Sequence, residues 1–240
     1  MIYLFDVDGT LTPSRKPITA EFYHEFLEFC KSFPVALVTG SDYKKTQEQL
    51  GDEILDSVLY SFNCSGNAIY RNGKLIYAKD WTMPDDLRAR LLDLLKHSTY
   101  PGVKTGCHIE ERTGSVNFSV VGRNATDIQR KDYYNWDLVN QERHTIAKII
   151  RTEFSEFDAV VGGETGIDIF PIGNDKSQVL SRIDTEAMFF GDQCVPGGND
   201  YPLAIKIETQ RRGTWVNVKN WQHTQLIIRG LRGQLTSSIN

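Results

Sequence analysis

Four apolar residues, Ile2-Tyr3-Leu4-Phe5, give way to two carboxylates one residue apart, Asp6-Val7-Asp8, ahead of Gly9. So short and unbroken a run, rich in branched and aromatic side chains, predicts a strand buried on both faces. Val35-Ala36-Leu37-Val38, residues 58–62 and Ala187-Met188-Phe189-Phe190 repeat the pattern. Phe22, Phe26, Leu27 and Phe29 form one apolar helix face behind Thr19, a predicted N-cap. A second helix is expected to end at Leu50, stopped by Gly51. Ile69-Tyr70 and Leu75-Ile76-Tyr77 flank Asn72-Gly73, a hairpin turn signal. Strands and helices in this order predict a doubly wound α/β core.

Near residue 80 the pattern changes. A helix opens at Thr82-Met83-Pro84-Asp85 and carries Leu87, Leu91, Leu94 and Leu95 on one side. Val116-Asn117-Phe118-Ser119-Val120 alternates apolar and polar residues, as does an antiparallel strand with one wet face. After a helix bearing Ile146, Ile149 and Ile150, two short strands bracket Gly162-Gly163. The α/β pattern then resumes. Asn174 is predicted to cap a helix running to Ile183, and Leu203-Ala204-Ile205 and Thr214-Trp215-Val216 are expected as short strands. The reading is a parallel-sheet core, residues 1–80 and 173–240, interrupted by an α+β cap, residues 81–172. Pro171 and Gly173 are the candidate hinges.

Composition adds exclusions. Of 240 residues 40% are apolar and 24% charged, with a net charge of −4, so no basic excess points to nucleic acid or an anionic membrane. No apolar run approaches a membrane span, and the N-terminal run reads as a strand rather than a signal peptide. Cys30, Cys64, Cys107 and Cys194 are too scattered for a zinc or redox motif and read as reduced thiols in a cytoplasmic setting.

The candidate chemistry gathers at strand ends, where open parallel sheets bind ligands. Asp6 and Asp8 at the end of the first strand would repel each other unless a cation or proton lay between them, and oxygen-only ligands favour Mg²⁺. Thr39 ends the second strand, where its hydroxyl and nearby N–H groups could hold a phosphoryl oxygen; Ser41 competes for that role. Lys176 lies in Asn174-Asp175-Lys176-Ser177, and Asp192 follows an apolar strand. Each has a plain structural reading when taken singly: a polar turn, a strand-ending threonine, a surface lysine, an N-cap aspartate.

Together they resemble, in order, the four motifs of the haloacid dehalogenase (HAD) superfamily of phosphotransferases: Phe5-Asp6-Val7-Asp8-Gly9-Thr10-Leu11-Thr12, Val38-Thr39-Gly40, Lys176, and Gly191-Asp192 through Gly198-Asn199-Asp200. The resemblance implies that Asp6 is a nucleophile, that Asp8 is the acid/base, and that Lys176 screens the Asp6 charge. It further implies that Mg²⁺ is held by Asp6, Asp8 (through its carbonyl) and Asp192, with Asn199 and Asp200 completing the loop. Within the cap, Ile109-Glu110-Glu111-Arg112-Thr113-Gly114, Asn117-Phe118-Ser119, Gly122-Arg123 and Arg130 resemble the eukaryotic-type phosphomannomutases. By that likeness Arg112, Asn117, Arg123 and Arg130 bind a non-reacting phosphate, Asp168 meets sugar hydroxyls, and Arg15 lies at the core–cap junction. The implied activity interconverts mannose 1-phosphate and mannose 6-phosphate, with a hexose 1,6-bisphosphate as activator and a homodimer formed through the cap. A sugar-phosphate phosphatase of the same superfamily is the alternative. Three departures bear on sugar preference and turnover: Gly166 stands for a ligand-contacting Ser, Gln193 for a Lys, and Asn63-Cys64-Ser65-Gly66-Asn67 for a Glu-Asn-Gly loop.

Overall fold

The computed structural model describes the backbone of residues 1–237 and side chains through residue 233. The chain forms two compact units: Met1–Lys79 together with the segment from Asn174 onward, and Asp80–Gly173.

The first unit begins with β1 (Ile2–Phe5), α1 (Ala20–Ser32), β2 (Val35–Val38), α2 (Tyr43–Leu50), α3 (Asp52–Ser57) and β3 (Tyr60–Asn63), followed by the hairpin β4 (Ala68–Arg71) and β5 (Lys74–Ala78). The second unit holds α4 (Asp85–Lys96), β6 (Ile109–Arg112), β7 (Ser115–Phe118), α5 (Asp127–Asn140), α6 (Glu142–Glu153), β8 (Phe157–Gly162) and β9 (Gly166–Pro171). The chain then returns to the first unit with β10 (Ala187–Gly191), α7 (Tyr201–Thr209), β11 (Gly213–Asn217) and α8 (Trp221–Ser237).

In the seven-stranded sheet of the first unit the order is β11-β10-β1-β2-β3-β4-β5. The first five strands pair parallel, and β4 and β5 are added through antiparallel pairs, so that β4 alone runs against the rest. Helices cover both faces, which is why β1, β2 and most of β10 are apolar throughout: Tyr3, Phe5 and Phe190 pack with α1, α3 and α8, while Ile2, Leu4 and Phe189 pack with α7. Phe5 stacks on Phe190 at 4.7 Å and meets Phe26 edge-on at 5.3 Å, fixing the central strand against one helix layer. Thr19 caps α1 by accepting from the Phe22 N–H at 3.4 Å.

The second unit is a four-stranded antiparallel sheet, β6-β7-β9-β8, backed by helices. Val116, Phe118, Ile167 and Ile169 face its apolar core. The alternate residues, Asn117 and Asp168 among them, face the other way, so one side of this sheet is polar.

Several segments differ from expectation, and the sequence reading does not predict α3, β6 or α5 at all. Leu203-Ala204-Ile205 lies in α7, where burial of Leu203, Ala204 and Ile207 follows a helical period and Pro202 sits in the first turn. Residues after Asn174 form a 3₁₀ segment, Lys176–Arg182, capped by Asp175, whose side chain accepts from the Ser177 N–H at 2.7 Å. Its buried residues are Lys176, Val179 and Leu180. The C-terminal helix α8, which the sequence reading did not predict, buries Ile228 in the core. Among the described residues, no helix is long and apolar enough to cross a membrane.

Candidate active site

β1, β2 and β10 are neighbours, so the residues after their carboxyl ends converge. Asp6 follows β1, Thr39 follows β2, and Asp192 follows β10. Lys176 reaches the same point from its 3₁₀ segment. Its ammonium donates to the carboxylates of Asp6 and Asp200, each at 2.6 Å, and all three side chains are buried. Asp6, Asp192 and Asp200 each bring one carboxylate oxygen within 4.8 Å of the others. Gly9 makes this possible: it has a φ of +83°, and a side chain there would strike the Asp192 carboxylate.

Asp200 is the residue the sequence reading undervalued, as a loop-completing group rather than a partner of Lys176. Its second oxygen accepts from the Gln193 N–H at 3.0 Å. The Gln193 side chain in turn donates to Asp192 at 3.2 Å. A short glycine loop ending in Asp200 was the available signal, but its pairing with Lys176 spans 24 positions.

The electrostatics follow from burial. Loss of water around Asp6, together with the nearby charges of Asp200 and Asp192, raises its pKa well above the usual carboxylate range despite Lys176. Burial also opposes the Lys176 charge, yet Asp200 and Asp6 hold its pKa above that of an ordinary lysine. Burial and the Asp200 charge push Asp192 up to about 6. A set of hard oxygen donors whose charges one ammonium only partly balances fits a divalent cation such as Mg²⁺.

The Asp8 carboxylate stands outside that cluster. Its Oδ1 accepts from the Arg15 N–H at 2.5 Å and the Gln49 side chain at 3.0 Å; its Oδ2 accepts from Ser41 at 3.4 Å and faces the Lys45 ammonium at 3.6 Å. Burial works against ionisation, but Lys45, the Arg15 N–H and Gln49 outweigh it and hold Asp8 below the usual range. Arg15, with a left-handed φ of 61°, therefore meets the site through its backbone. Gln49, another residue missed from sequence, is buried on α2 and also donates to Thr12 and the Lys16 carbonyl.

Thr39 is buried, and its hydroxyl oxygen accepts from the Ser41 N–H at 3.1 Å. The departing loop is tied to this strand end: the Cys64 N–H donates to the Ser41 carbonyl at 2.9 Å and the Ser65 N–H to the Thr39 carbonyl at 2.8 Å. Cys64 and Ser65 both take left-handed backbone, φ 48° and 59°.

The remaining candidates lie in the second unit. Glu110, Asn117 and Asp168 stand opposite one another on β6, β7 and β9. Asp168 accepts from Asn117 at 2.7 Å and Arg112 at 3.4 Å. Glu110 pairs with Arg112 at 3.2 Å and also with Arg123. Arg130, buried near the start of α5, donates to the Thr165 hydroxyl at 3.0 Å and lies 3.5 Å from Glu164.

The sequence profile of eukaryotic phosphomannomutases matches residues 22–231. The chain belongs to the eukaryotic phosphomannomutase family. Phosphomannomutase from Schizosaccharomyces pombe is 33% identical over 222 residues, covering 87% of this chain and 86% of the relative. That from Spinacia oleracea is 34% identical over 212 residues, covering 85% and 86%. The fold is shared more widely. A haloacid dehalogenase-like hydrolase from Bacteroides thetaiotaomicron superposes with a TM-score of 0.59 at 12% identity, covering 96% of this chain and 98% of the other. Plasmodium falciparum IMP-nucleotidase gives 0.63 at 18% identity, covering 97% of this chain and 68% of the other. Membership of the phosphomannomutase family thus places the chain among the HAD phosphotransferases.

Proposed function

We propose that this protein is a Mg²⁺-dependent phosphohexomutase interconverting mannose 1-phosphate and mannose 6-phosphate. The observation that carries the reading is the Asp6–Lys176–Asp200 contact beside Asp192: a buried, charge-compensated carboxylate at a strand end, with donors for one cation.

Phosphate monoesters resist hydrolysis, so the site must supply a nucleophile, neutralise phosphoryl charge and manage a proton. Asp6 is the nucleophile; its carboxylate oxygen forms the bond to phosphorus as the bond to the sugar oxygen breaks. Asp6, Asp192 and the Asp8 carbonyl would hold Mg²⁺, with Asp200 anchoring Lys176 beside them. When bound, the cation supplies charge neutralisation for the phosphoryl oxygens. Thr39 and the adjacent backbone grip a phosphoryl oxygen, and Lys176 screens Asp6 from the incoming anion.

Asp8, held ionised, is in the form that takes a proton from a sugar hydroxyl as the phosphoryl group passes from Asp6 to that oxygen. The protonated Asp8 gives the same proton back when the other phosphate of the bisphosphate returns to Asp6. Arg112, Arg123, Arg130 and Asn117 take the phosphate that does not react, since guanidinium forks match phosphate oxygens in pairs. Asp168 accepts from sugar hydroxyls. Arg15 positions Asp8 through its N–H. Association through the cap into a homodimer, and a cytoplasmic setting, belong to the same proposal.

A coupled assay for mannose 6-phosphate formed from mannose 1-phosphate, with a hexose 1,6-bisphosphate and Mg²⁺, tests it. Steady phosphate release without isomerisation would replace the mutase with a sugar-phosphate phosphatase.

A further inference from the structure

The loop between β3 and β4 is strained and closely bonded. Cys64, Ser65 and Gly66 take left-handed backbone in succession, with φ of 48°, 59° and 95°. For two residues that carry side chains this conformation is costly, so the surroundings must impose it. Asn67 ends the loop. It is 0% exposed and bonds through both ends of its carboxamide and through its main chain.

The orientation of that carboxamide follows from its neighbours. The carbonyls of Cys64, at 2.8 Å, and Asn174, at 3.4 Å, only accept, so the NH₂ faces them. Oδ1 then accepts from the Gln178 side chain at 3.3 Å, which also donates to the Ser65 carbonyl at 2.9 Å. The Lys79 N–H donates to the Asn67 carbonyl at 2.7 Å. Two of these partners hold a special place in the chain. Lys79 is the last residue of the first unit before the chain leaves it, and Asn174 is the first on its return. One buried residue thus holds both crossings. The other partners lead to the candidate site. The same loop donates to the carbonyls of Thr39 and Ser41, and Gln178 lies two residues beyond Lys176 on the 3₁₀ segment. A side chain at Gly66 would stand 3.0 Å from Val179 and 3.1 Å from Gln178, so loop and segment pack without a gap.

We infer that Asn67 is a positioning residue for phosphoryl transfer: its carboxamide locks the two chain crossings to the Thr39 strand end and to the segment that carries Lys176. The inference rests on the proposed roles of Thr39 and Lys176 and names what fixes them. A buried polar network whose members are paired holds one arrangement, because breaking any bond strands a desolvated group. The left-handed turn serves both halves of the lock. It aims the Ser65 N–H at Thr39 and returns the Asn67 side chain to the Cys64 carbonyl.

The test is Asn67→Ala and Gln178→Ala, singly and together, in the full chain with Mg²⁺. The readouts are hydrogen exchange of backbone amides and steady-state kinetics with mannose 1-phosphate and a hexose 1,6-bisphosphate. In Asn67→Ala the amides of Cys64, Ser65 and Lys79 are expected to exchange about 10–100-fold faster, while those of β1 and β2 keep wild-type rates. We expect kcat to fall about tenfold or more and KM to change less than about threefold, because the displaced groups act on the reacting phosphoryl group. Gln178→Ala should act in the same sense, and adding it to Asn67→Ala should change less than it does alone, since the bond they share is already gone. Unchanged exchange at those amides would overturn the lock, and faster exchange with unchanged kcat would overturn its part in catalysis. Faster exchange throughout β1 and β2 would make Asn67 a general stabiliser and equally defeat the inference. If Asn67→Ala does not fold, Gln178→Ala decides alone: faster exchange at Ser65 and Lys79 together with a lower kcat supports the inference, and either one missing refutes it. Should the wild type release phosphate without isomerising, the mutase reading fails, and the same comparison made on that hydrolysis still decides the role of Asn67.

Discussion

Replacing Lys176 with methionine removes one charge and little volume from the centre of the first unit. The lysine side chain is 1% exposed, and those of Asp6 and Asp200 are 5% and 0% exposed. Two carboxylates, each 2.6 Å from the ammonium, then share a dry space with no cation. Stripping one partner from a buried ion pair costs about 3–5 kcal/mol, and part of the damage is avoided only by binding a proton. Against a total stability of roughly 5–15 kcal/mol, that is a large fraction. A divalent cation drawn to the same carboxylates offsets the loss, by about 2.7 kcal/mol at a hundredfold excess over its Kd. Urea denaturation at neutral pH, in chelator and in excess MgCl₂, reads both effects. We expect Lys176→Met to lose about 3–5 kcal/mol in chelator, with Mg²⁺ restoring more to the variant than to the wild type. Phosphotransfer should fall by about 10²–10³, the usual loss of one preorganised electrostatic group. A variant that lost under about 1 kcal/mol in chelator would refute the argument that this lysine neutralises a buried acidic cluster.

Other outcomes follow from the same geometry. Asp192, raised to about 6, binds its proton more tightly folded than unfolded. The metal-free protein should therefore lose stability as pH rises from the ordinary aspartate value to about 6, and Mg²⁺ should abolish that loss; thermal melts across this window check the sign. Lys45→Met removes the leading cation that holds Asp8 below the usual range, so the acid limb of the kcat/KM profile should move to higher pH. In the cap, Asp137→Ala strands Arg143, which bonds it at 2.6 Å in a nearly dry setting. That should cost about 3–5 kcal/mol in urea denaturation, and an unchanged midpoint would contradict it.

Much of this was legible in the chain because burial on both faces writes itself as an uninterrupted apolar run. β1, β2 and β10 were read that way, and the alternation at Val116–Val120 disclosed the polar face of the cap sheet. The four motif residues stand at strand ends or first turns, where local patterns are sharpest. What escaped depends on distance or on ambiguity. Asp200 and Gln49 matter through partners brought near only by the fold, Lys176 and Asp8. Leu203-Ala204-Ile205 is too short an apolar run to separate strand from helix, and the tertiary context chose helix.

The strand order carries a consequence for biosynthesis. β1 lies between β2 and β10, and its partner β10 is encoded some 180 positions later, with the whole cap in between. As the chain leaves the ribosome, the cap can complete its own core while one edge of β1 still waits unpaired. Asp6 therefore meets Lys176, Asp192 and Asp200 only after the whole cap has been made, and a chain cut short before residue 187 would carry a finished cap and lack the Asp192 and Asp200 carboxylates that complete the acidic cluster.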